Sequence, residues 1–89
     1  IKALWLAGVD LFSAGLEPEV VVAALENVEF LVVQDWRETE CLHYASVVFP
    51  MAAPVEMDGS YTNLERRVQW MAQVLPTHGE AKPAWKAFG

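Results

Sequence analysis

Residues 47–69 read VVFPMAAPVEMDGSYTNLERRVQ, and this stretch decides how the chain is read. An apolar strand, Val47 to Phe49, runs into an elbow bounded by Pro50 and Pro54, and an Asp58-Gly59 pair follows. A two-residue type I′ turn needs positive φ at both central positions. Asp58-Gly59, between Val55/Met57 and Tyr61, therefore predicts a hairpin that reverses there. Behind it come Asn63 and the doublet Arg66-Arg67. Paired guanidinium forks on a rigid turn suit the clamping of a carboxylate or phosphate. The plainer alternative is that they neutralise neighbouring acids in an acidic chain.

Upstream, two further apolar runs have the length of buried strands. Ala3 to Ala7 ends at Gly8, and Phe30 to Val33 closes at Gln34-Asp35. Between them Pro18 suits the first turn of a helix, and Val21, Ala24, Leu25 and Val28 draw one apolar helical face, with Asn27 near its end. Three consecutive valines weaken that helix intrinsically, so packing on a sheet has to hold it. Thr39 to Ala45 reads as a short helix, with Thr39 as its cap and Cys41, Leu42 and Ala45 turned inward. Ser46 to Phe49 is the third buried strand. Three apolar strands separated by helical segments predict an α/β fold: Rossmann-like βαβ units with a parallel sheet, then a hairpin and an extended segment. Residues 1–50 form the expected βαβαβ core and residues 51–89 the hairpin and tail, where Pro83 leads a final helical turn.

At 89 residues the chain makes one small domain at most. Its apolar content of 54%, with four tryptophans, is high for that size. The first residue is Ile1 rather than Met, which predicts a piece of a longer polypeptide and a larger domain, with some tryptophans facing neighbours. A net charge of -6, with only Lys2 and Arg37 as bases before residue 40, argues against nucleic acid as a partner. No apolar run reaches the roughly 20 residues of a membrane span. The single Cys41 allows no internal disulfide and fits a reducing compartment.

In an open α/β sheet, ligands gather beyond the carboxyl ends of the strands. That rule selects Gly8 to Gly15, Gln34 to Thr39, and Pro50 onward. Asp35 ends the second strand, where nucleotide-binding folds place an acceptor for ribose hydroxyls or a base edge; its alternative is to cap the next helix. No GxGxxG is present, which argues against a nicotinamide dinucleotide site. Cys41, His43 and His78 make a poor zinc set, and Cys41 reads as a small buried apolar residue rather than a nucleophile. No Ser-His-Asp arrangement suggests a triad. Neither a catalytic residue nor a metal ligand is predicted.

Three segments, FLVVQDWRETE, SVVFPMAAPVEMDGSYTNLERRVQ and HGEAKPAW, occur in an order and spacing that resemble the molybdopterin oxidoreductase family. The resemblance spans nearly the whole chain and is specific from Phe30 to Gln69; before that, only Gly8 and Asp10 fit. Two branches look most similar: the G-type, 75-kDa-like large subunit of NADH–quinone oxidoreductase, and the formate dehydrogenase alpha subunit. The resemblance implies strand-end loops that hold the nucleotide part of a molybdopterin guanine dinucleotide. By position, Gly8 and Asp10 would sit on the first loop, Gln34, Asp35 and Thr39 on the second, and Asn63, Arg66 and Arg67 on the turn near the cofactor.

The chain departs from that pattern at Leu11, where Pro is expected, at Met57, where Lys is expected, and at Trp36, where a smaller or aliphatic residue is usual. His43, Tyr44 and Ser46 also differ. A missing lysine and a bulky Trp predict weaker phosphate and guanosine contacts. With the GEAKPAW tail, they favour the G-type subunit, in which the resemblance implies a scaffold and iron–sulfur clusters elsewhere in the full-length chain. The alternative is the cofactor-binding segment of a formate dehydrogenase or related molybdenum enzyme. A third reading is a regulatory module that kept the fold without redox chemistry. The implied partners are the remaining domains of its own subunit and the other subunits of a respiratory or formate dehydrogenase complex. The implied place is the cytoplasm, at the inner membrane only through such a complex.

Overall fold

β2, Phe30–Asp35, is the strand on which the domain is built; a computed structural model describes residues 1–88. From Leu31 to Asp35 every residue is buried, so both faces of the strand are covered and its apolar run needs no alternation. β1 (Ala3–Ala7) and β3 (Val47–Pro50) flank it, both parallel to it, in the order β1-β2-β3. Parallel neighbours need a crossover, and α1 (Pro18–Asn27) supplies the first. The second carries one turn of 3-10 helix, Glu40–Tyr44.

Pro18 opens α1, where its missing N–H costs nothing. Val21 and Leu25, one turn apart, face the sheet and meet Leu6, Leu31, Val33 and Cys41 in a single core. Burying side chains of this size contributes roughly 1.5–3 kcal/mol each, which holds a helix whose valines would not hold it alone. At its end the Asn27 amide donates to the Ala23 carbonyl at 2.7 Å, and the backbone turns extended at Val28.

The other face of the sheet is covered by the tail. Met51 bridges to Lys82, and the Ala52 N–H donates to the Lys82 carbonyl at 2.9 Å. Trp5 stacks near Phe49 (5.8 Å between centroids) and packs against Phe88 (4.7 Å). A last 3-10 turn, Ala84–Ala87, follows Pro83. This cover is partial: Trp5, Phe30, Phe49, Trp85 and Phe88 remain exposed apolar residues.

Three local expectations are corrected. Only β2 is buried along most of its length, from Leu31 to Asp35; β1 and β3 are edges, open along much of their length because each has a single neighbour. The short helix expected after Thr39 is present as a 3-10 helix with Cys41 buried, but the Thr39 side chain makes no capping bond. The hairpin does not reverse at Asp58-Gly59. Gly59 begins β4 (Gly59–Thr62), which pairs antiparallel with β5 (Val68–Met71), and the link is Asn63 to Arg67. Gly59 lacks the positive φ that the expected turn demands, whereas Arg66 has φ 64°. The Asp58 carboxylate instead accepts the Gln73 N–H at 2.7 Å, fastening the far end of the hairpin.

Candidate functional site

Register places three strand ends side by side, because Ala7 pairs with Gln34 and Gln34 with Phe49. The loops that leave them are tied to β2. The Gly8 N–H donates to the Gln34 carbonyl at 2.7 Å, and the Met51 N–H donates to the Asp35 carbonyl at 3.0 Å. Gly8 turns with φ 64°, where L side chains are strained, and a Cβ there would meet the Met51 methyl at 3.4 Å. The first and third loops therefore meet over the end of β2.

Asp10 spends its carboxylate on its own loop. One oxygen accepts the Phe12 N–H at 3.1 Å and the other the Ser13 hydroxyl at 2.7 Å. The Cys41 thiol, fully buried, lies 3.9 Å from the first oxygen and ties this loop to the turn after β2. The Ser13 hydroxyl, against a smaller opposing effect of desolvation, holds the Asp10 carboxyl below its ordinary value of 3.8; the Phe12 and Ser13 N–H groups and the Arg37 charge add to this.

Gln34 and Asp35 leave β2 on opposite faces of the sheet. The Gln34 amide is buried and used at both ends: its oxygen accepts the Trp5 indole N–H at 3.3 Å, and its nitrogen donates to the Ala84 carbonyl at 3.0 Å. Asp35 is 8% exposed. Its Oδ1 accepts the Trp36 N–H at 2.7 Å and the Arg37 N–H at 3.3 Å, while among the described residues Oδ2 receives no donor. Asp35 caps no helix, since the next turn starts at Glu40. Asp35 lines a cavity of about 380 Å³ together with Trp36, Met51, Glu56 and His78. Nearby in sequence, the buried Thr39 hydroxyl has no hydrogen-bond partner.

Asn63, Arg66 and Arg67 lie together on the β4–β5 link, and their bonds are to one another. Asn63 and Arg67 pair through backbone (3.1 Å) and through the Asn63 side chain, which accepts the Arg67 N–H at 3.0 Å. Arg67 meets Glu65 at 3.4 Å on the open surface. Among the described residues, no hydrogen bond or ion pair joins this turn to Gly8, Asp10, Gln34, Asp35 or Thr39. Trp36, Glu56 and His78 were not predicted at the Asp35 cavity. Trp36 was legible as a departure beside Asp35, whereas Glu56 and His78 arrive from distant segments and left no local signal.

The profile of the family described as "Molybdopterin oxidoreductase" matches residues 1–89. The chain belongs to the molybdopterin oxidoreductase family. Relatives bearing the name "Putative formate dehydrogenase" are similar to it throughout. A Staphylococcus aureus protein is 43% identical over 88 residues, 99% of this chain and 9% of its own length. One from Bacillus subtilis is 42% identical over 85 residues, 96% of this chain and 9% of its own length. One from Staphylococcus haemolyticus is 42% identical over 88 residues, 99% and 9% respectively. The chain thus spans about 9% of the length of these relatives.

Membership implies a molybdopterin cofactor, and the residues fit the polar end of such a group. The buried Thr39 hydroxyl, without a partner, is costly unless something bonds to it, and the mostly buried Asp35 keeps one carboxylate oxygen free of protein donors among the described residues. Among the described residues there is no cluster of three or more His, Cys, Asp or Glu side chains able to hold a metal, and no helix long and apolar enough to cross a membrane.

Proposed function

We propose that this chain is the part of a formate dehydrogenase-type molybdopterin oxidoreductase that holds the nucleotide end of a molybdopterin guanine dinucleotide. The observation that carries it is Asp35: a strand-end carboxylate oriented by two backbone N–H groups through one oxygen, with the other free of donors among the described residues, on a residue that lines a cavity. Relatives named as formate dehydrogenases at 41–43% identity support the choice of branch. When bound, the cofactor supplies the metal-centred redox chemistry. This chain's residues bind and orient: Asp35 accepts from the base or ribose, and Thr39 offers its hydroxyl. Gly8 brings backbone close, and Gln34 fixes the tail behind the strand ends. Asn63, Arg66 and Arg67 belong to the reading as an anion-binding turn completed by other parts of the subunit. A dinucleotide is too large for a cavity of about 380 Å³, so those parts must close the site. The apolar surface left by Trp5, Phe30, Trp85 and Phe88 supports packing against the same remainder. Iron–sulfur clusters and partner subunits of a formate dehydrogenase complex belong to this reading as well, with a cytoplasmic site of action.

A second reading keeps the fold as scaffold in a G-type NADH–quinone oxidoreductase subunit, reached at the inner membrane through its complex. Leu11, Trp36, Met57 and the HGEAKPAW tail favour it. Metal and nucleotide analysis of the purified full-length protein separates the two. Stoichiometric molybdenum or tungsten, with GMP released on acid hydrolysis, is expected; an intact protein with neither overturns the cofactor-binding reading in favour of the scaffold.

A further inference from the structure

Trp36, one of the residues at which this chain departs from the pattern it resembles, directly follows Asp35. The two are consecutive, and both line the cavity of about 380 Å³. The indole is 48% exposed although it carries a large apolar surface. The Arg37 guanidinium lies over the ring, 5.1 Å from its centroid, and so backs one face. The Asp35 carboxylate is held by the Trp36 and Arg37 N–H groups, so the acceptor, the ring and its cationic backing share one short rigid segment. On the far side, Glu56 Oε2 already accepts the Ala53 N–H at 2.9 Å. Asp35 Oδ2 is therefore the better placed acceptor for a ligand. The volume is at the small end of ligand pockets, enough for one base and its sugar.

We infer that Trp36 is a stacking plate for the nucleobase, an aromatic replacement that strengthens base binding in this chain rather than obstructing it. The inference rests on the nucleotide-binding reading above. Stacking is tolerant of base identity because every base has a π-face, whereas a carboxylate edge favours the adjacent N–H donors of guanine. The two residues therefore divide the work: Trp36 sets affinity and Asp35 sets preference.

The test uses the full-length protein stripped of cofactor, with GDP and ADP as probes in calorimetric titrations. Trp36→Leu is expected to weaken both nucleotides by about tenfold, the size of one base–aromatic stack. Trp36→Phe, which keeps a ring, is expected to stay within about threefold. Asp35→Asn is expected to lose the preference for GDP over ADP. A tryptophan difference band on adding GDP to the wild type, absent in Trp36→Phe, reads the stack without relying on the leucine variant. If Trp36→Leu binds GDP as the wild type does while Asp35→Asn loses its preference, the plate is overturned and nucleotide binding stands. Equal losses in Trp36→Leu and Trp36→Phe also overturn the plate. A wild-type protein that takes up neither nucleotide overturns both readings together.

Discussion

The end of the parallel sheet and the β4–β5 hairpin both carry predicted site residues, yet they are held in opposite ways. At the end of the sheet, partners come from distant parts of the chain: Gly8, from before the helix, and Ala84, from the tail, both bond Gln34, and Cys41, from the second crossover, meets Asp10. On the hairpin turn, Asn63 bonds Arg66 and Arg67, its own neighbours, and Leu64 is wholly exposed. The sheet end is held by contacts between segments far apart in sequence. The turn is a local device whose shape depends on five consecutive residues, and Arg67 already meets Glu65 on its surface.

The sharpest way to break that comparison is to delete volume in each region. Leu31 is 1% exposed, and Leu31→Ala is expected to cost about 2–5 kcal/mol. Leu64→Ala is expected to stay within about 0.5 kcal/mol. Urea denaturation of the two variants decides it, and equal midpoints would erase the distinction. A smaller effect of opposite sign is expected at Arg66. An L-residue at φ 64° pays roughly 1–2 kcal/mol that glycine does not. Arg66→Gly should therefore stabilise the hairpin by about 1 kcal/mol, visible as slower amide exchange in β4 and β5. Exchange that speeds up would mean that the guanidinium holds the turn.

The smallest effect concerns Asp10. Its folded-state value lies below the ordinary 3.8, so the carboxylate adds stability above that value, and this is lost as pH falls through the lowered one. Ser13→Ala removes the main cause and should move the Asp10 titration back up toward 3.8, as a side-chain carboxyl NMR titration would read. An unmoved titration would assign the shift to the backbone donors instead.

Much of this was legible in the sequence, for identifiable reasons. Apolar runs bounded by Gly8, Asp35 and Pro50 marked the strands, and for β2, which lies between two neighbours, the continuous run matches its burial. The helix face of Val21 and Leu25 followed from spacing. Failure came where local chemistry gave two answers. Asp58-Gly59 is a strong turn signal, but Asp58 is claimed by the Gln73 N–H, and the reversal moved to Asn63, whose side chain bonds the loop it opens. The exposure of β1 and β3 was not readable, since an apolar run does not say how many neighbours it has. His78 and Glu56 at the Asp35 cavity depend on how the tail returns to the sheet, which no short-range pattern encodes.

That return is governed by Gln34, the one amide on an otherwise oily side of the sheet. Greasy surfaces attract without preference for direction, and a tail pressed against them could slide by a residue at little loss. A group that donates to the Ala84 carbonyl on one end and accepts the Trp5 indole N–H on the other favours one alignment over its neighbours. The final segment is thereby indexed to the same residue that precedes Asp35, so that His78 and the carboxylate arrive at one cavity by a shared ruler.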